Sequence, residues 1–262
     1  MHFTKMHGLG NDYLYVFGEV PENIQSICTS LSDRHFGAGS DGMIYIGKSE
    51  NADFSMRIFN ADGSEAKMCG NGIRCVGKFV YEKGYTEKTD ISVSTLSGIK
   101  RLHLCVSFGK VKSVDVEMGT VKVEGEAEST AAEKNLILTK VNVGNPHAVI
   151  FCEDAEKEDI EKLGGEIENS FEGGINVEFV SLVSENELRM RVWERGSGIT
   201  LACGTGACAS AAAAVSKGVC SLSKQVKVNL DGGSLLIKIS DDGKCIMSGP
   251  AAFVYEGETE LC

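Results

Sequence analysis

A spacing of 134 residues relates the two halves of the chain, and it constrains the fold more than any other feature of the sequence. Met68–Gly72 (MCGNG) matches Ala202–Gly206 (ACGTG), and the same shift pairs Gly8–Asn11 with Asn142–Asn145 without a gap. Further matches at this spacing are Arg57–Phe59 with Arg191–Trp193, Lys83–Gly84 with Lys217–Gly218, Gly39 with Gly173, and Gly98 with Gly232. Because one register covers most of each half, the sequence predicts two related units that arose by internal duplication.

Each half has the pattern of several strands, one helix and then further strands. The strands predicted at the start of the first half are Asp12–Phe17, Gly42–Gly47 and Asp53–Phe59. Helices are predicted from about Asn71 to Lys83 and from about Thr205 to Lys217, each followed by a glycine that ends it. The segment 124–133, rich in Glu and Ser, is predicted to be an exposed connector. The sequence therefore predicts many short strands with a few helices.

Composition narrows the possible partners and the compartment. The net charge is −11, from 26 Lys and Arg against 37 Asp and Glu, which disfavours phosphate backbones and anionic lipid surfaces. We therefore expect no nucleic-acid partner and no membrane partner. No apolar run approaches the roughly 18 residues of a membrane span, and the N-terminus lacks an apolar signal segment. A cytoplasmic protein is expected, with its ten cysteines in the reduced state.

Cys69 and Cys203 each stand directly before a Gly-x-Gly turn that begins a helix. Unpaired N–H groups and the helix dipole favour negative charge at this place, so the pKa of such a thiol is expected to fall below its usual value of about 8.5. The same N–H groups can hold a carboxylate. Two thiols at related positions suit one task in particular. One removes a proton from a carbon and the other delivers a proton to the opposite face, which inverts the stereocentre.

Other uses of these cysteines fit the sequence less well. The spacings Cys69-x5-Cys75 and Cys203-x4-Cys208 lack the second matching pair of a zinc site, so no metal is expected. In a hydrolase, His147 could activate one cysteine as a nucleophile. That arrangement leaves the second, duplicated cysteine unexplained.

The sequence carries no cofactor motif in the context that such a motif requires. Gly37–Gly42 spells Gly-x-Gly-x-x-Gly, but it precedes a strand, whereas the dinucleotide motif follows a strand and opens a helix. No phosphate-binding Gly-x4-Gly-Lys-Ser/Thr occurs, and no lysine pattern signals a pyridoxal Schiff base. The sequence therefore indicates an enzyme that works without a cofactor.

Six motifs resemble those of the diaminopimelate epimerase family and occur in that family's order. They are His7–Tyr13, Phe59–Ser64, Met68–Cys75, Gly144–His147, Gly174–Val177, and Trp193–Gly196 leading to Ala202–Gly206. The resemblance spans nearly the whole chain. The Cys-Gly motifs are also similar to those of proline racemase and related isomerases, so they define only the superfamily. The asparagine and Glu-Arg motifs favour diaminopimelate.

The resemblance implies two pseudo-symmetric α+β units, each a curved mixed sheet around a central helix, with the active site in the cleft between the units. We expect the first unit over residues 1–118, the second over 119–250, and residues 251–262 returning to the first. The implied activity is cofactor-independent interconversion of LL- and meso-diaminopimelate, in lysine and peptidoglycan precursor biosynthesis, by a homodimer. The alternatives are a proline-type racemase and a non-catalytic amino-acid-binding protein.

The resemblance also assigns roles to individual residues. Cys69 and Cys203 are the acid/base pair, and His147 and Glu194 tune the two thiols. The implied substrate contacts are Asn11, Asn60, Gly70, Asn71, Asn145, Asn176, Glu194, Arg195, Gly204 and Thr205. Physically, the turn amides can cradle the reacting carboxylate, and Arg195 can form a fork onto the distant one. Gly42 stands where some relatives have glutamine, and it is left out of the predicted site.

Overall fold

Two related units make up the part of the chain that the computed structural model describes, which is residues 1–261. Unit 1 contains Met1–Val116 together with the C-terminal segment from Gly249 onwards, and unit 2 contains Glu117–Ser248. The α-helices of the described residues are α1 (Ile24–Ser32), α2 (Gly70–Glu82), α3 (Ile160–Ser170) and α4 (Gly204–Ser216), and a 3₁₀ turn lies at Ala155–Lys157. None of the helices in this range is long and apolar enough to cross a bilayer.

Unit 1 is built on a mixed sheet that uses strands from both ends of the chain. Its strands are β1 (His2–Gly8), β2 (Asn11–Phe17), β3 (Gly42–Gly47), β4 (Phe54–Asn60), β5 (Glu65–Ala66), β6 (Asp90–Thr95), β7 (Gly98–Ser107), β8 (Lys110–Thr120, which runs past the end of the unit) and β18 (Ala252–Glu258). The sheet order is β18-β1-β2-β3-β4-β6-β7-β8, with the short β5 on β4. The pairs β2/β3 and β4/β6 are parallel, and the others are antiparallel.

Unit 2 repeats this arrangement with a continuous stretch of chain. Its strands are β9 (Lys122–Ala131), β10 (Lys134–Asn142), β11 (Pro146–Phe151), β12 (Asn176–Ser184), β13 (Glu187–Glu194), β14 (Gly198–Ile199), β15 (Gln225–Leu230), β16 (Gly233–Ile239) and β17 (Lys244–Gly249). The sheet order is β9-β10-β11-β12-β13-β15-β16-β17, with β14 on β13. In unit 1 the C-terminal strand β18 therefore takes the place that β9 has in unit 2.

The registers of the central strands match residue for residue at the 134-residue spacing, whereas β1/β2 and β10/β11 differ by one residue: Gly8 pairs with Asn11, but Asn142 pairs with Pro146. The parallel pair β2/β3 aligns Leu14 with Met43, and the parallel pair β11/β12 aligns Ala148 with Val177. The antiparallel pairs β3/β4 and β12/β13 repeat in the same way. The α+β class and the internal repeat that the sequence predicts are confirmed.

The spacing changes to 135 residues beyond the central helices. Gly98 begins β7 and pairs with Thr95, and the equivalent pair in unit 2 is Leu230 with Gly233. Gly98 and Gly233 both have positive φ, of 94° and 135°. The sequence match of Gly98 with Gly232 is therefore wrong by one residue. Unit 2 has one more residue between α4 and β15, in a loop where an insertion disturbs no strand pairing.

Helices α2 and α4 lie inside their units, packed against strands of the surrounding sheet. Each has 13 residues and begins and ends one residue earlier than the sequence predicts. Gly77 in α2 has no room for a side chain, because a Cβ there would lie 2.8 Å from Leu104 Cδ2 in β7. The equivalent residue in α4 is Ala211, which is fully buried. Small residues on these helices let the strands pack closely around them.

Residues 122–131 form strand β9 and not the exposed connector expected from their composition. The strand pairs with β10 along its whole length. Most of its side chains are exposed. A strand that packs on one face only can carry the same charged residues as a linker, so composition could not separate the two.

Asp53 ties the start of β4 to β6 in unit 1. Its carboxylate accepts hydrogen bonds from the backbone N–H and the hydroxyl of Ser92, both at 2.8 Å, and pairs with Lys88 Nζ at 2.6 Å. The hydrogen bonds from Lys88 and Ser92 lower the pKa of Asp53 from 3.8 to about 2. Because the pKa is lower in the folded state, the stabilisation is complete well above pH 3.8 and is lost as the pH falls through about 2.

The replacement Asp53→Asn is expected to lower the free energy of unfolding by about 1–2 kcal/mol at pH 7. This value is smaller than the pKa shift of Asp53 alone would give, because solvent screens its pairing with the exposed Lys88. The difference from wild type should fall to about half of that at pH 3. Urea unfolding of both proteins at the two pH values measures it, with Glu50→Gln on an exposed loop as the control. If the difference in unfolding free energy between the two proteins did not change with pH, the lowered pKa of Asp53 would not be the source of the stabilisation.

Candidate active site

The two cysteines that the sequence singles out occupy the same place in their units. Each is the N-cap residue of the central helix, with extended backbone geometry. Cys69 Sγ accepts a hydrogen bond from the N–H of Gly72 at 3.3 Å, and Cys203 Sγ accepts one from the N–H of Gly206 at 3.3 Å. The sulfur thus accepts the capping hydrogen bond that a serine or aspartate oxygen usually accepts at a helix start. The helix fixes the direction of each thiol.

Glycine is required two residues after the start of both helices because a strand passes directly over them. A Cβ at Gly72 would lie 2.6 Å from Ile44 Cδ1, and a Cβ at Gly206 would lie 2.7 Å from Glu178 Oε1. Ile44 and Glu178 are themselves equivalent residues of β3 and β12. The close approach therefore brings a different chemical group to each cysteine.

The half-site of unit 1 is formed by the start of β2, the end of β4 and the start of α2. Asn11 Oδ1 accepts a hydrogen bond from Cys69 Sγ at 3.3 Å. Asn60 donates to Ser64 Oγ at 3.1 Å within its own turn. Gly70 and Asn71 are the first two residues of α2. The Asn71 oxygen accepts from the fully buried Arg74 at 2.9 Å, so its side chain supports the helix start.

The half-site of unit 2 contains a chain of polar side chains that runs from the core to Cys203. His147 Nδ1 lies 2.6 Å from Glu178 Oε1, and both residues are fully buried. His147 Nε2 lies 3.0 Å from Asn145 Oδ1. Asn145 Nδ2 donates to Thr205 Oγ1 at 3.5 Å, and that hydroxyl lies 3.5 Å from Cys203 Sγ. Four of these residues were predicted from the sequence, and Gly204 begins the helix beside them.

The remaining predicted residues of unit 2 lie on β12 and at the end of β13. Asn176 uses both ends of its amide, donating to the carbonyl of Pro146 at 2.9 Å and accepting from the N–H of Arg195 at 3.1 Å. The Arg195 guanidinium is exposed and donates to the carbonyl of Gly173 at 3.1 Å. Glu194 accepts a hydrogen bond from the hydroxyl of Thr200.

Glu178 is the functional candidate that sequence reasoning missed. Its Oε2 atom is buried and has no hydrogen-bond partner among the described residues. The related strand β3 has the apolar Ile44 at this position. A charged residue in the otherwise apolar stretch Val177–Val180, where the related stretch Met43–Ile46 has none, was the signal that could have found it.

Burial raises the pKa of the Cys203 thiol well above its usual value, and the charges of Glu194 and Glu178 raise it further. The hydrogen bonds from Thr205 and from the N–H of Gly206 act in the opposite direction and are outweighed. The expectation of a lowered pKa is therefore wrong for Cys203, which is only 4% exposed. Burial also raises the pKa of Glu194, although hydrogen bonds from Thr200 and Cys203 partly offset it.

Two further cysteines lie on the same helices without sharing these positions. Cys75 and Cys208 are fully buried in α2 and α4. Burial raises the pKa of Cys75 to about 11. Within residues 1–261, no group of three or more His, Cys, Asp or Glu side chains is placed to hold a metal ion.

Solved structures with this fold include enzymes that act on amino acids. A PhzF-family phenazine biosynthesis protein of Bacillus anthracis matches with a TM-score of 0.78 and 17% identity, over 100% of this chain and 99% of that one. A hydroxyproline epimerase of Agrobacterium vitis matches with a TM-score of 0.75 and 16% identity, over 98% and 91%. These likenesses place the chain in the fold class shared by proline racemase-type and PhzF proteins.

Sequence relatives define the family within that class. The sequence model of the diaminopimelate epimerase family matches residues 3–124 and 139–254. A diaminopimelate epimerase of Methanococcus maripaludis strain C5 is 48% identical over 100% of both chains, and one of Bacteroides thetaiotaomicron is 50% identical over 98% of this chain and 97% of the relative. The chain belongs to the diaminopimelate epimerase family, as its six motifs predict.

The replacement Glu178→Gln is expected to lower the pKa of Cys203, because it removes a negative charge and keeps a group that can hydrogen-bond to His147. At pH 8 the rate at which iodoacetamide alkylates Cys203 should rise on the order of three- to tenfold. Peptide mass spectrometry measures the rate at each cysteine, and Cys220 in the same unit is the internal control. An unchanged Cys203 rate would show that the Glu178 charge does not act on this thiol.

Proposed function

We propose that this chain interconverts LL- and meso-diaminopimelate by proton transfer at Cα between the thiols of Cys69 and Cys203. The observation that carries the proposal is the identical N-cap position of the two cysteines in a duplicated fold, in a chain that belongs to the diaminopimelate epimerase family. Inversion at carbon needs a base on one face and an acid on the other. Two related thiols supply one group for each face.

In the proposed complex, the first N–H groups of α2 and α4 bind the carboxylate of the reacting centre. Helix starts are suited to an anion because their N–H groups point outwards and their dipole favours negative charge. Gly70 and Gly204 stand at these starts, so no side chain blocks the approach. Arg195, which is exposed, and Glu194 beside it serve the distal carboxylate and ammonium groups of diaminopimelate.

Glu194 is the proposed acceptor of the Cys203 proton. The thiol hydrogen-bonds to this carboxylate, and burial raises the pKa of Glu194, so the carboxylate is placed to accept the proton from Sγ. The bound α-ammonium group of the substrate then stabilises the thiolate. That thiolate removes the Cα proton, and the Cys69 thiol delivers its own proton from the other face.

The replacements Cys69→Ala and Cys203→Ala are each expected to lower kcat by about 10²–10⁴-fold or more, because each removes one proton carrier. Chiral separation of the diaminopimelate isomers measures turnover. Cys75→Ala and Cys208→Ala are matched controls from the same two helices, and they should keep kcat near the wild-type value. Near-normal turnover by either Cys69→Ala or Cys203→Ala would rule out the two-thiol mechanism.

Deuterium incorporation at Cα tests the substrate. With diaminopimelate, proline and lysine offered separately in deuterated water, exchange is expected with diaminopimelate alone. Exchange with proline instead would favour a proline-type racemase. Tight binding of diaminopimelate without any exchange would favour a non-catalytic binding protein.

The proposal extends to the setting of the reaction, and family membership supports it. The protein acts as a homodimer in the cytoplasm, in the formation of lysine and peptidoglycan precursors, and it needs no pyridoxal phosphate. Light scattering on a size-exclusion column measures the mass in solution. Activity that stays constant after dialysis against a chelator and a carbonyl reagent is the expected result for a cofactor-free enzyme.

A further inference from the structure

Asp41, at the end of the glycine-rich loop Gly37–Gly42, connects the segments that form the half-site of unit 1. Its backbone N–H donates to the carbonyl of Asp12 at 2.7 Å, and its carbonyl accepts from the N–H of Ala61 at 2.9 Å. The side-chain atom Oδ2 adds two contacts, because it accepts hydrogen bonds from Asn11 Nδ2 at 2.8 Å and from the N–H of Asp12 at 3.0 Å. The loop Gly37–Gly42 has the spelling of a dinucleotide motif without its context. Its contacts hold the start of β2 against the end of β4.

The contact between Asp41 and Asn11 decides which end of the Asn11 amide faces Cys69. An ionised carboxylate can only accept hydrogen bonds, so Asn11 must turn its NH₂ group towards Asp41. The amide oxygen is then left on the other side, 3.3 Å from Cys69 Sγ. Only a protonated thiol can donate to this oxygen.

The Asp41 carboxylate is itself held in place by charged neighbours. Arg34 Nη2 lies 2.9 Å from Asp41 Oδ1 and 2.8 Å from Asp12 Oδ1. Lys5 Nζ lies 2.8 Å from Asp12 Oδ2. The Asn11 amide is therefore at the end of a polar network with defined directions.

The equivalent asparagine of unit 2 has the opposite orientation. Asn145 directs its oxygen to His147 Nε2 at 3.0 Å and its NH₂ group to Thr205 at 3.5 Å, on the side of Cys203. The residue 134 positions after Asp41 is Ile175, which is apolar and buried. The two related asparagines thus direct opposite ends of their amides towards the cysteines, and the residues that hold them are not equivalent in the two units.

We propose that Asp41 is a positioning residue that holds the Asn11 amide with its oxygen towards Cys69, and so keeps that thiol in its proton-carrying form. The inference rests on the proposed function in one respect, namely that Cys69 transfers a proton. A reversed amide would donate to the sulfur and favour the thiolate. Without Asp41, both orientations of Asn11 are available.

The test is the reactivity of Cys69 towards iodoacetamide in the substrate-free protein, measured at one pH by peptide mass spectrometry. Asp41→Asn can accept or donate, so it releases the Asn11 amide, and the Cys69 rate is expected to rise about fivefold. The comparison is repeated in an Asn11→Ala background, where Asp41→Asn should change the rate by less than about twofold. Asp62→Asn, which removes a carboxylate from a neighbouring turn, is the charge control and should also stay below about twofold.

Equal changes in both backgrounds would overturn the proposal, because they would show a charge effect that does not act through Asn11. An unchanged Cys69 rate in Asp41→Asn would overturn it as well. If that variant does not fold, Asp41→Ser takes its place in the same comparison. An error in the proposed function would be seen in a different experiment. In that case the wild-type protein would exchange no α-hydrogen of diaminopimelate, whatever the alkylation rates of Cys69 were.

Discussion

The hydrogen bond from the third helical N–H to a cysteine sulfur, made once in each unit, is the contact on which the rest of the site depends. It fixes the thiol at a helix start, where the first N–H groups can also hold an anion. The contact needs glycine at positions 72 and 206, because β3 and β12 pass within van der Waals distance of the helix. The parallel pairs β2/β3 and β11/β12 hold those strands in place. The packing of the strand on the helix, the first turn of the helix and the position of the thiol thus depend on one another. This arrangement occurs once in each of the two duplicated units.

The departures from symmetry give the two copies different chemistry. Where unit 1 buries Ile44 against its helix start, unit 2 buries Glu178 with His147, and a buried pair of this kind is costly relative to apolar packing. The asparagines Asn11 and Asn145 differ in the same way, since each takes its direction from a partner that the other unit lacks. The fold supplies two equivalent positions, and the buried polar residues make them unequal.

Much of the fold and the positions of the two cysteines could be predicted from the sequence, because the internal repeat indicates which residues are equivalent in space and composition does not. The central helices lie within one residue of their predicted bounds, and the cysteines lie at their N-caps. The features that escaped are those in which tertiary contacts outweigh local signals. Strand β9 has the composition of a linker and is held by β10. The helix dipole argument failed for Cys203 because it omitted burial and the carboxylates of Glu194 and Glu178, which no local pattern reveals.

The raised pKa of Cys203 has a consequence for the chemistry. A thiol that is already ionised at neutral pH is a weak base, whereas a thiolate formed in a buried site is a strong one, and the proton on a carbon next to a carboxylate is removed only with difficulty. In the proposed mechanism, burial of Cys203 therefore favours formation of the thiolate base only after the substrate is bound. The same burial favours the neutral form of the Cys203 thiol, and a neutral thiol reacts slowly with oxidants and electrophiles. In the proposed mechanism, burial thus has two effects on Cys203: it makes the thiolate a stronger base in the substrate complex, and it protects the thiol in the substrate-free protein.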